Sequence, residues 1–520
     1  MGVTSESGRI VPGGRKGAYV RLAEGSQERH VSRTDLARRP EELGDPVLTL
    51  AHLSDLHICD HQSPARAEVL DRLMDPDSAT RDLIDQVGTY RAQELLTTQV
   101  GAAMVEAVNE VSEGPVGGGP LDLAVATGDS TDNGQFNELD WYLTLLDGGR
   151  LVPDSGDMLH YEGVAGLPDP RFWHPEGGTY DMRRGYGGFP LVPGLLKAVR
   201  RAIDSPGLDV PWLAVNGNHD GLLQGTVPGD AAISEVAIGD LKPIAMPEHW
   251  TDEAKAKLIA GLIAGDPAAL AMLSELDPYE VTPDKRRRKT SLQEFVDSHV
   301  HDEAKPSGHG FKAGGKSYYR YDVNDEVTLV VLDTVNPAGG FQGSLDAEQL
   351  EWLDAVLAST DYDERLAVIA SHHDVASLVN DLGGGSGSGR RVLGSEVEQT
   401  VSRHESAVLW LNGHTHRTAV KPHGSWWEVT APSLIDWPQQ GRVIELLSDG
   451  DVLTIATTML DHAGPARWSG SIEDVRHLAS LSRELSANDW QGPEVPLDEH
   501  PWAGSVKDRN VLLHLLDPRA

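Results

Sequence analysis

Histidine and carboxylate side chains recur at short spacings in this 520-residue chain. Asp55 and His57 are two positions apart, as are His414 and His416, and in extended chain such pairs project to the same side, so each pair can hold one cation. Asp129 follows a glycine that permits a tight turn, and its two carboxylate oxygens can bridge two cations. Mixed nitrogen and oxygen donors suit Mn, Fe or Zn better than Ca. These residues predict transition-metal chemistry.

Apolar segments precede these residues and predict buried strands that end at them. The segments span residues 47–54, 121–127, 210–215, 365–370 and 407–411. The third runs into Asn218 and His219, and the fourth into His372 and His373. Because open α/β sheets bind ligands outside the carboxyl ends of their strands, we expect these distant segments to converge on one crevice.

The remaining chain predicts helices, two insertions and two terminal extensions. Asp346 can cap a helix in which Leu350, Leu353 and Leu357 recur at helical spacing, and we expect this helix to pack on a sheet. The main domain is predicted over residues 46–460, with insertions at about 135–209 and 221–325. Residues 1–45 form an N-terminal extension on the surface or partly disordered, and 461–520 a C-terminal extension packing on the domain.

Composition excludes several classes of partner. The chain has 44 basic and 80 acidic residues, a formal net charge of -36, so neither a nucleic-acid polymer nor an anionic membrane surface is an expected partner. A phosphate ligand must therefore find local positive charge. The single cysteine, Cys59, excludes an internal disulfide framework and a cysteine-only zinc site. The basic run from Lys285 to Lys289 is interpreted as a solvated turn.

Targeting signals are weak in this sequence. No segment approaches the roughly 20 apolar residues that a membrane-spanning helix needs. Arg38 and Arg39 resemble a twin-arginine signal, but Pro40, Glu41 and Glu42 follow where a hydrophobic segment is required. We expect a cytoplasmic protein.

Five motifs in order resemble the calcineurin-like metallophosphoesterases, a superfamily of binuclear metal hydrolases. The motifs are Asp55-x-His57, Gly128-Asp129-x-x-Asp132, Gly217-Asn218-His219-Asp220, His372 and Gly413-His414-x-His416. The resemblance runs from about residue 47 to 460 and is interrupted by the two insertions. It implies an α/β fold, a four-layer αββα sandwich of two mixed β-sheets, with the insertions forming a cap beside the metals. In the motif that contains His372, the family usually has proline two positions after the histidine, and Asp374 stands there instead. Because His372 and His373 are adjacent, His373 is open as the ligand in place of His372.

The resemblance also implies a ligand set and a reaction. One metal would be held by Asp55, His57, Asp129 and His416, and the other by Asp129, Asn218, His372 and His414, with Asp129 bridging. A metal-bridging hydroxide would attack a phosphodiester or phosphomonoester, while unligated His219 contacts the phosphate or protonates the leaving oxygen. Two divalent ions and two ionised aspartates would give the site a net charge of about +2, so that an acidic chain can still attract phosphate.

Residues beside the motifs have open roles. Asp132 and Asp60 could orient ligand histidines or be solvated loop carboxylates, and Asp220 is grouped with them. Asn133 and Arg417 could touch substrate. His299 and His301 share the two-residue spacing, but no strand precedes them, so a metal site is not expected there.

Alternatives to a phosphoesterase are a noncatalytic metal-binding scaffold of the same fold and a metallo-β-lactamase-like hydrolase. The latter needs His-x-His-x-Asp-His, and Arg417 and Thr418 follow His416 in place of that pattern. A scaffold is disfavoured because every metal position and His219 are present. The metals, the monoester or diester preference and the oligomeric state stay open, because specificity lies in the insertions rather than in the motifs.

Overall fold

A computed structural model describes residues 2–70, 90–167, 169, 172–178, 188–228, 231–263, 266–272, 275–383, 389–489, 495–497 and 499–520. Its strands are β1 Ile10–Lys16, β2 Tyr19–Glu24, β3 Val31–Arg33, β4 Asp45–Leu53, β5 Leu123–Ala126, β6 Gly149–Leu151, β7 Ile203–Ser205, β8 Trp212–Ala214, β9 Leu222–Leu223, β10 Val227–Pro228, β11 Leu241–Ala245, β12 Asp277–Glu280, β13 Tyr319–Asp322, β14 Val327–Val331, β15 Leu345–Asp346, β16 Leu366–Ala370, β17 Arg391–Val392, β18 Ala407–Asn412, β19 Ala419–His423, β20 Trp426–Thr430, β21 Gln440–Ser448, β22 Val452–Asp461 and β23 Val511–Leu516.

The α-helices alternate with these strands. They are α1 Thr97–Glu110, α2 Phe136–Asp147, α3 Leu195–Ala198, α4 Asn218–Gly221, α5 Ala231–Ile238, α6 Asp252–Ile263, α7 Pro267–Met272, α8 Leu292–Ser298, α9 Ala347–Tyr362, α10 Gly394–Val401 and α11 Val475–Ser486. Short 3-10 turns lie at Ala92–Leu96, Val164–Gly166, Lys285–Arg287, Ser307–Gly310 and Val375–Ser377. The chain is a mixed α/β protein.

The larger sheet has seven strands in the order β3-β23-β22-β21-β4-β5-β8. Its β4, β5 and β8 strands run parallel, with Leu53 opposite Ala126 and Ala126 opposite Ala214. The β4–β21, β21–β22 and β22–β23 pairs are antiparallel, so the sheet is mixed. The three parallel strands therefore end at one edge, as the sequence predicts for the segments before Asp55, Asp129 and Asn218.

The smaller sheet has six strands in the order β13-β14-β16-β18-β20-β19. Its β14, β16, β18 and β20 strands run parallel, and Ala370 lies opposite Leu411. The outer strands β13 and β19 are antiparallel to their neighbours, so this sheet is mixed too. The strands before His372 and His414 therefore end side by side.

Both sheets contribute to one large apolar core. Leu50 and Val443 of the seven-stranded sheet share it with Leu329 and Val368 of the six-stranded sheet, and helix α1 adds Val100 and other side chains. The residues alternating with Leu329 and Val368 face a different cluster that includes helices α9 and α10. That second cluster contains Val330, Ile369, Trp410, Leu353, Leu357 and Val397. The period-two alternation of the strands thus divides their side chains between two cores.

The predicted helix after Asp346 is confirmed. The Asp346 side chain accepts a hydrogen bond from the Gln349 backbone N–H, which caps helix α9, and Leu353 and Leu357 are fully buried. The cap satisfies a backbone donor that would otherwise be unpaired at the helix start.

The terminal segments contribute strands to the sheets. In residues 1–45, β1 and β2 form a hairpin whose first strand is largely exposed, and β3 pairs with β23 from the C-terminal segment. Among the described residues, no helix combines the length and apolar character needed to cross a membrane.

The interpretation of Lys285 to Lys289 as a solvated turn is correct for Lys285 and Arg286, which are exposed in a 3-10 turn, and wrong for Arg287. Arg287 is fully buried, and its Nε atom lies 3.3 Å from Oδ2 of Asp60 and donates to Oγ of Ser155 at 3.1 Å. A buried guanidinium needs a carboxylate partner, and this partner lies more than two hundred positions away in sequence, where a local charge pattern gives no sign of it.

Candidate metal centre

Side chains from the strand ends of both sheets meet at one point. Nε2 of His372, after β16, lies 3.2 Å from Oδ2 of Asp129, after β5. Nε2 of His416, after β18, lies 3.3 Å from Oδ1 of Asp55, after β4. Each contact joins the six-stranded to the seven-stranded sheet. Both aspartates and His372 are buried.

One group of donors surrounds Nε2 of His57. This nitrogen lies 3.6 Å from Oδ2 of Asp129, 4.0 Å from Oδ1 of Asp55 and 3.3 Å from Nε2 of His416. Asp55, His57 and His416 place one donor atom each within 4.8 Å of one another. These four residues are the set that the sequence assigns to one metal.

Two arginine-backed carboxylates orient the histidines of this group. Nδ1 of His57 lies 3.2 Å from Oδ1 of Asp132, whose other oxygen accepts from Arg66 at 2.5 Å. Nδ1 of His416 lies 2.6 Å from Oδ2 of Asp436, whose other oxygen lies 3.2 Å from Nε of Arg91. Ionised carboxylates only accept hydrogen bonds, so both histidines carry a proton on Nδ1 and turn Nε2 toward the centre.

The second ligand set that the resemblance implies contains His372, Asn218 and His414 besides Asp129. His372 donates from Nδ1 to the Thr127 carbonyl at 2.9 Å, and its Nε2 is buried without a hydrogen-bond partner. Asn218 donates from Nδ2 to the Gly225 carbonyl at 3.0 Å, and its Oδ1 is likewise buried without a partner. The His414 ring centroid lies 5.1 Å from that of His372.

The neighbouring His373 uses both ring nitrogens within the protein. Its Nε2 donates to the Phe341 carbonyl at 2.9 Å, and its Nδ1 accepts from the Thr334 hydroxyl at 2.8 Å. These two bonds are compatible with one neutral tautomer. Although His373 lies within the donor cluster formed with His372 and His414, its nitrogens are engaged by the Phe341 carbonyl and the Thr334 hydroxyl, whereas Nε2 of His372 faces the Asp129 carboxylate at 3.2 Å.

The donor set fits transition-metal ions. The Nε2 atoms of His57 and His416 face each other at 3.3 Å, and without a proton or a cation between them their lone pairs would repel. Oδ1 of Asn218 is a buried polar atom that would cost about 1 to 3 kcal/mol if left unsatisfied, and Nε2 of His372 faces the Asp129 carboxylate at 3.2 Å. Imidazole nitrogens together with carboxylate and amide oxygens suit Mn, Fe or Zn.

The backbone at these donors is strained. Asp55, His57, Asp129, His414 and His416 all adopt left-handed φ angles, of 52°, 45°, 49°, 64° and 56°. Such residues cost of order 1 to 3 kcal/mol each and persist where the surrounding structure holds them for a function. Their concentration at one point marks this crevice as a candidate functional site.

Two glycines allow the strand ends to approach closely. A Cβ atom at Gly413 would lie 1.8 Å from Oγ of Ser54 and 2.3 Å from Oδ2 of Asp55. Gly128 has a φ of 89°, and a Cβ there would lie 2.9 Å from Nδ1 of His372. Any side chain at either position would push a metal donor away.

Electrostatics at the centre favours an ionised Asp129 and protonated His372 and His416. Burial alone would lower the pKa of His372, but Asp129 raises it to about 9. Burial is likewise outweighed at His416, where Asp55 and Asp436 raise the pKa to about 10. Burial would raise the pKa of Asp129, but His372 and His219 hold it well below its usual range.

His219 lies beside the donors. Its ring centroid is 4.5 Å from that of His57, and its Nδ1 donates to the Asp132 carbonyl at 2.6 Å, so Nε2 is the nitrogen free to act on a ligand. Its backbone N–H donates to Oδ1 of Asp129 at 2.8 Å. Burial lowers the pKa of His219 to about 4, and Asp129 opposes that shift only in part. The ring is therefore neutral at pH 7 until an anion arrives.

The residues with open roles lie in different places. Asp132 contacts His57, as described above. Asp220 accepts from the backbone N–H groups of Thr131 and Gly217 at 2.9 Å each and so fixes the turn that carries Asn218 and His219; burial raises its pKa to about 6.

Asp60 and Asn133 are engaged away from the donors. Asp60 accepts from Ser155 and Asn137 at 2.7 Å each, besides pairing with Arg287. Asn133 donates to the Ala65 carbonyl at 3.0 Å and accepts from the Gln224 N–H at 2.9 Å. Arg417 is exposed at the rim after His416.

Sequence reasoning missed Asp436, Arg91 and Arg66. Asp436 follows the 431–433 segment in a loop without strand periodicity, and Arg66 and Arg91 belong to no motif. Only their contacts identify them. The histidine pairs did carry a usable signal, since a ligating histidine almost always donates its second nitrogen to a carboxylate or carbonyl.

No protein-family model matches the chain, and no curated protein matches it. Among solved structures, a dimetal phosphatase from Danio rerio matches with a TM-score of 0.35 and 12% identity, over 80% of this chain and 100% of that one. A candidate 5′-nucleotidase from Staphylococcus aureus, in complex with alpha-ketoglutarate, matches with a TM-score of 0.32 and 11% identity, over 84% of this chain and 58% of that one. TM-scores this low establish neither fold nor function, so the chemistry rests on the residues of the site.

Proposed function

We propose that the chain is a binuclear metal-dependent phosphoesterase that hydrolyses a phosphodiester or a phosphomonoester. One observation carries the proposal: mutually facing donor atoms from the ends of four strands in two sheets converge at 3.2 to 4.0 Å. Neither a solvated surface cluster nor a satisfied core would leave buried nitrogens and oxygens facing one another in this way.

The metal ligands in this proposal form two sets that share Asp129. Asp55, His57 and His416 complete one set, and Asn218, His372 and His414 complete the other. Assignment of His372 rather than His373 is supported by the two protein hydrogen bonds that occupy the His373 ring. A bound metal pair would supply an acidified water as nucleophile and positive charge for the phosphate oxygens.

His219 acts on the substrate in this proposal. Its Nδ1 bond to the Asp132 carbonyl holds the ring so that Nε2 faces away from that anchor. A phosphate oxygen at Nε2 favours the protonated ring, because an adjacent negative charge raises a histidine pKa. The protonated nitrogen can then bind the phosphate and deliver a proton to the leaving oxygen.

The fold proposed for this enzyme is a four-layer αββα sandwich. It is supported by the core shared between the sheets and by the separate cluster under helices α9 and α10. Residues 46–460 form the catalytic domain in this proposal, the insertions at 135–209 and 221–325 form the cap, and the two terminal extensions add β3 and β23 to the larger sheet.

Metal content and hydrolysis test the proposal together. Purified protein is analysed by inductively coupled plasma mass spectrometry and assayed with added Mn²⁺ on bis-p-nitrophenyl phosphate and p-nitrophenyl phosphate. We expect about two metal ions in the centre and turnover of at least one ester. The ratio of the two rates indicates diesterase or monoesterase preference.

The noncatalytic scaffold gives a different result in the same experiment. A scaffold binds metal without hydrolysing either ester, even after reconstitution with Mn²⁺, Fe²⁺ and Zn²⁺. The Asp129→Asn variant is the matched control, because it removes the bridging carboxylate with almost no change in volume. Metal content and turnover equal to those of the wild type would refute the assignment of Asp129.

A further inference from the structure

A second group of metal donors lies outside the candidate centre, at the edge of the seven-stranded sheet. Asp147 is the last residue of α2, His301 follows α8, and His309 lies in the 3-10 turn Ser307–Gly310. Each places one donor atom within 4.8 Å of the others. We name these three residues the Asp147 triad. His301 belongs to the His-x-His pair from which no site was expected, while its sequence partner His299 bonds to the Phe295 carbonyl at 2.7 Å.

The tautomer of His309 leaves a lone pair pointing at a carboxylate. Its Nδ1 lies 3.1 Å from the Trp212 carbonyl, which can only accept, so Nδ1 carries the proton of the neutral ring. Its Nε2 lies 3.1 Å from Oδ1 of Asp147, yet this fully buried atom has no hydrogen-bond partner. The ring is stacked on Trp212 at 3.7 Å, with planes 20° apart, so it cannot swing away.

The same pattern marks His372 in the candidate centre. That ring also donates from Nδ1 to a backbone carbonyl. Its Nε2 is buried 3.2 Å from a carboxylate oxygen, compared with 3.1 Å for His309, and neither nitrogen has hydrogen-bond geometry to a partner. His309 also shares a left-handed φ, of 47°, with the donors of the centre. Two histidines far apart in sequence thus present the same unsatisfied nitrogen to an aspartate.

Asp147 is held ready to accept a cation between the two rings. Its Oδ1 accepts from Nε1 of Trp212 at 2.9 Å, and its Oδ2 lies 3.1 Å from Nε2 of His301. Donors of a tetrahedral zinc site, each about 2.0 to 2.2 Å from the ion, lie roughly 3.3 Å apart. The His301 side chain is 32% exposed, which gives an ion a route from solvent and leaves room for water as a further ligand.

We propose that the Asp147 triad binds a divalent transition-metal ion, with Zn²⁺ as the test ion. Two imidazoles and one carboxylate form a donor set for such ions and are too poor in oxygen for Ca²⁺. The ion joins three elements: the end of helix α2, edge strand β8 through Trp212, and the segment after α8 near the end of the second insertion. Because β8 leads into Asn218 and His219, the site fastens the insertion to the strand that presents them. The proposal does not depend on phosphoesterase activity.

Zinc counting tests the triad. Metal-free protein is titrated with Zn²⁺, and bound metal is counted by native mass spectrometry. We expect the wild type to bind one more zinc ion than His301→Ala or His309→Ala. The zinc affinity of this site should fall more than about 100-fold in either variant, because loss of a residue that only supports a ligand already lowers metal affinity about 10 to 100-fold. His301→Ala is the decisive variant, because removal of the buried His309 ring can destabilise the fold by itself.

The matched control is His160→Ala. His160 is also a histidine paired with an aspartate, Asp157 at 2.7 Å, but its side chain is 78% exposed and no second histidine joins the pair in the described residues. The His160→Ala variant should bind as much zinc as the wild type. Equal zinc in the wild type and in His301→Ala would overturn the proposal.

A second comparison separates this site from the candidate centre. Zinc should raise the Tm of Asp129→Asn more than that of Asp129→Asn/His301→Ala, because a ligand that binds only the folded state stabilises it. Equal zinc-induced Tm shifts in the two variants would refute zinc binding by the Asp147 triad, irrespective of metal binding at the candidate centre. A failed phosphoesterase assay alongside an intact difference would refute the proposed function and support the triad.

Discussion

The imidazole of His416 donates from Nδ1 to Oδ2 of Asp436 over 2.6 Å, and Arg91 pairs with the other carboxylate oxygen at 3.2 Å. This arrangement fixes the tautomer that turns Nε2 of His416 toward Asp55, 3.3 Å away. In the proposed centre Asp436 would therefore orient a metal ligand without itself binding the metal. The pair His57–Asp132, backed by Arg66, has the same arrangement.

Asp436→Asn should weaken metal binding about 10 to 100-fold, because outer partners of ligating histidines typically contribute that much. The amide removes the negative charge that raises the basicity of His416. Titration of metal-free protein with Mn²⁺ or Zn²⁺ measures the effect. Asp354→Asn is the control, since Asp354 also pairs with a histidine, His404 at 2.9 Å, and neither belongs to the donor clusters. Equal affinities in the two variants would contradict the role of Asp436.

The two adjacent histidines should respond differently to removal. His372→Ala should deplete one ion of the pair, because its Nε2 is the unengaged nitrogen. His373→Ala should keep both ions but destabilise the fold by about 1 to 3 kcal/mol, since it leaves the Phe341 carbonyl and Thr334 hydroxyl without their partner. Metal analysis and urea unfolding measure the two effects. Loss of metal in His373→Ala with full metal in His372→Ala would reverse the assignment.

The sequence predicted the elements that carry the donors because their signals are local. Apolar runs ending in polar residues mark β4, β5, β16 and β18, and their observed bounds lie within two residues or so of the predicted segments. The β8 strand is shorter than predicted, at Trp212–Ala214: it begins after Pro211, two residues later than predicted, and ends one residue earlier. Parallel pairing then brings the strand ends together within each sheet, as expected.

The residues that support the donors could not be predicted because their signals are not local. Asp436, Arg66 and Arg287 work through partners that only the tertiary fold brings near. A charged residue in a loop has the same local pattern whether it is solvated or buried against an opposite charge. His309 shows the same limit, since nothing near it in sequence identifies Asp147 as its neighbour.

Gly413→Ala should disrupt the centre. The added Cβ would lie 1.8 Å from Oγ of Ser54 and 2.3 Å from Oδ2 of Asp55, so Asp55 must move. We expect loss of the ion that Asp55 holds and destabilisation of about 1 to 3 kcal/mol from overpacking. Metal analysis and urea unfolding check both. Gly383→Ala is the control, because a Cβ there meets none of the described residues within 4 Å. Full metal content in Gly413→Ala would show that Asp55 is not a required ligand.

Metal uptake should release protons. In metal-free protein, burial opposes but does not prevent the rise in pKa of His372 to about 9 and of His416 to about 10. Both rings are charged at pH 7.5, and both must lose a proton to become ligands. Addition of Zn²⁺ in weak buffer with a pH indicator should release about two protons per chain near pH 7.5, and far fewer above pH 10.

The sign of this linkage also predicts the stability of the metal-free protein. Both folded-state pKa values lie above the ordinary histidine value of 6.5, so their contribution is fully present below about pH 6.5 and is lost as the pH rises through about 9 to 10. His372→Ala should lose the part due to His372. Proton release unchanged in that variant would contradict the assignment.

His219 should matter for the leaving group and not for the metals. Its Nδ1 is anchored on the Asp132 carbonyl, and its ring lies 4.5 Å from that of ligand His57, so His219→Ala should keep both ions. Loss of a general acid costs about 10² to 10⁴-fold on an alkyl ester, whose alkoxide needs the proton, and much less on a p-nitrophenyl ester, whose phenolate leaves without it. Steady-state rates on the two ester classes, with metal content measured on the same samples, separate the effects. If both esters slow equally, His219 only binds the phosphate; if metal is lost as well, it belongs to the ligand set.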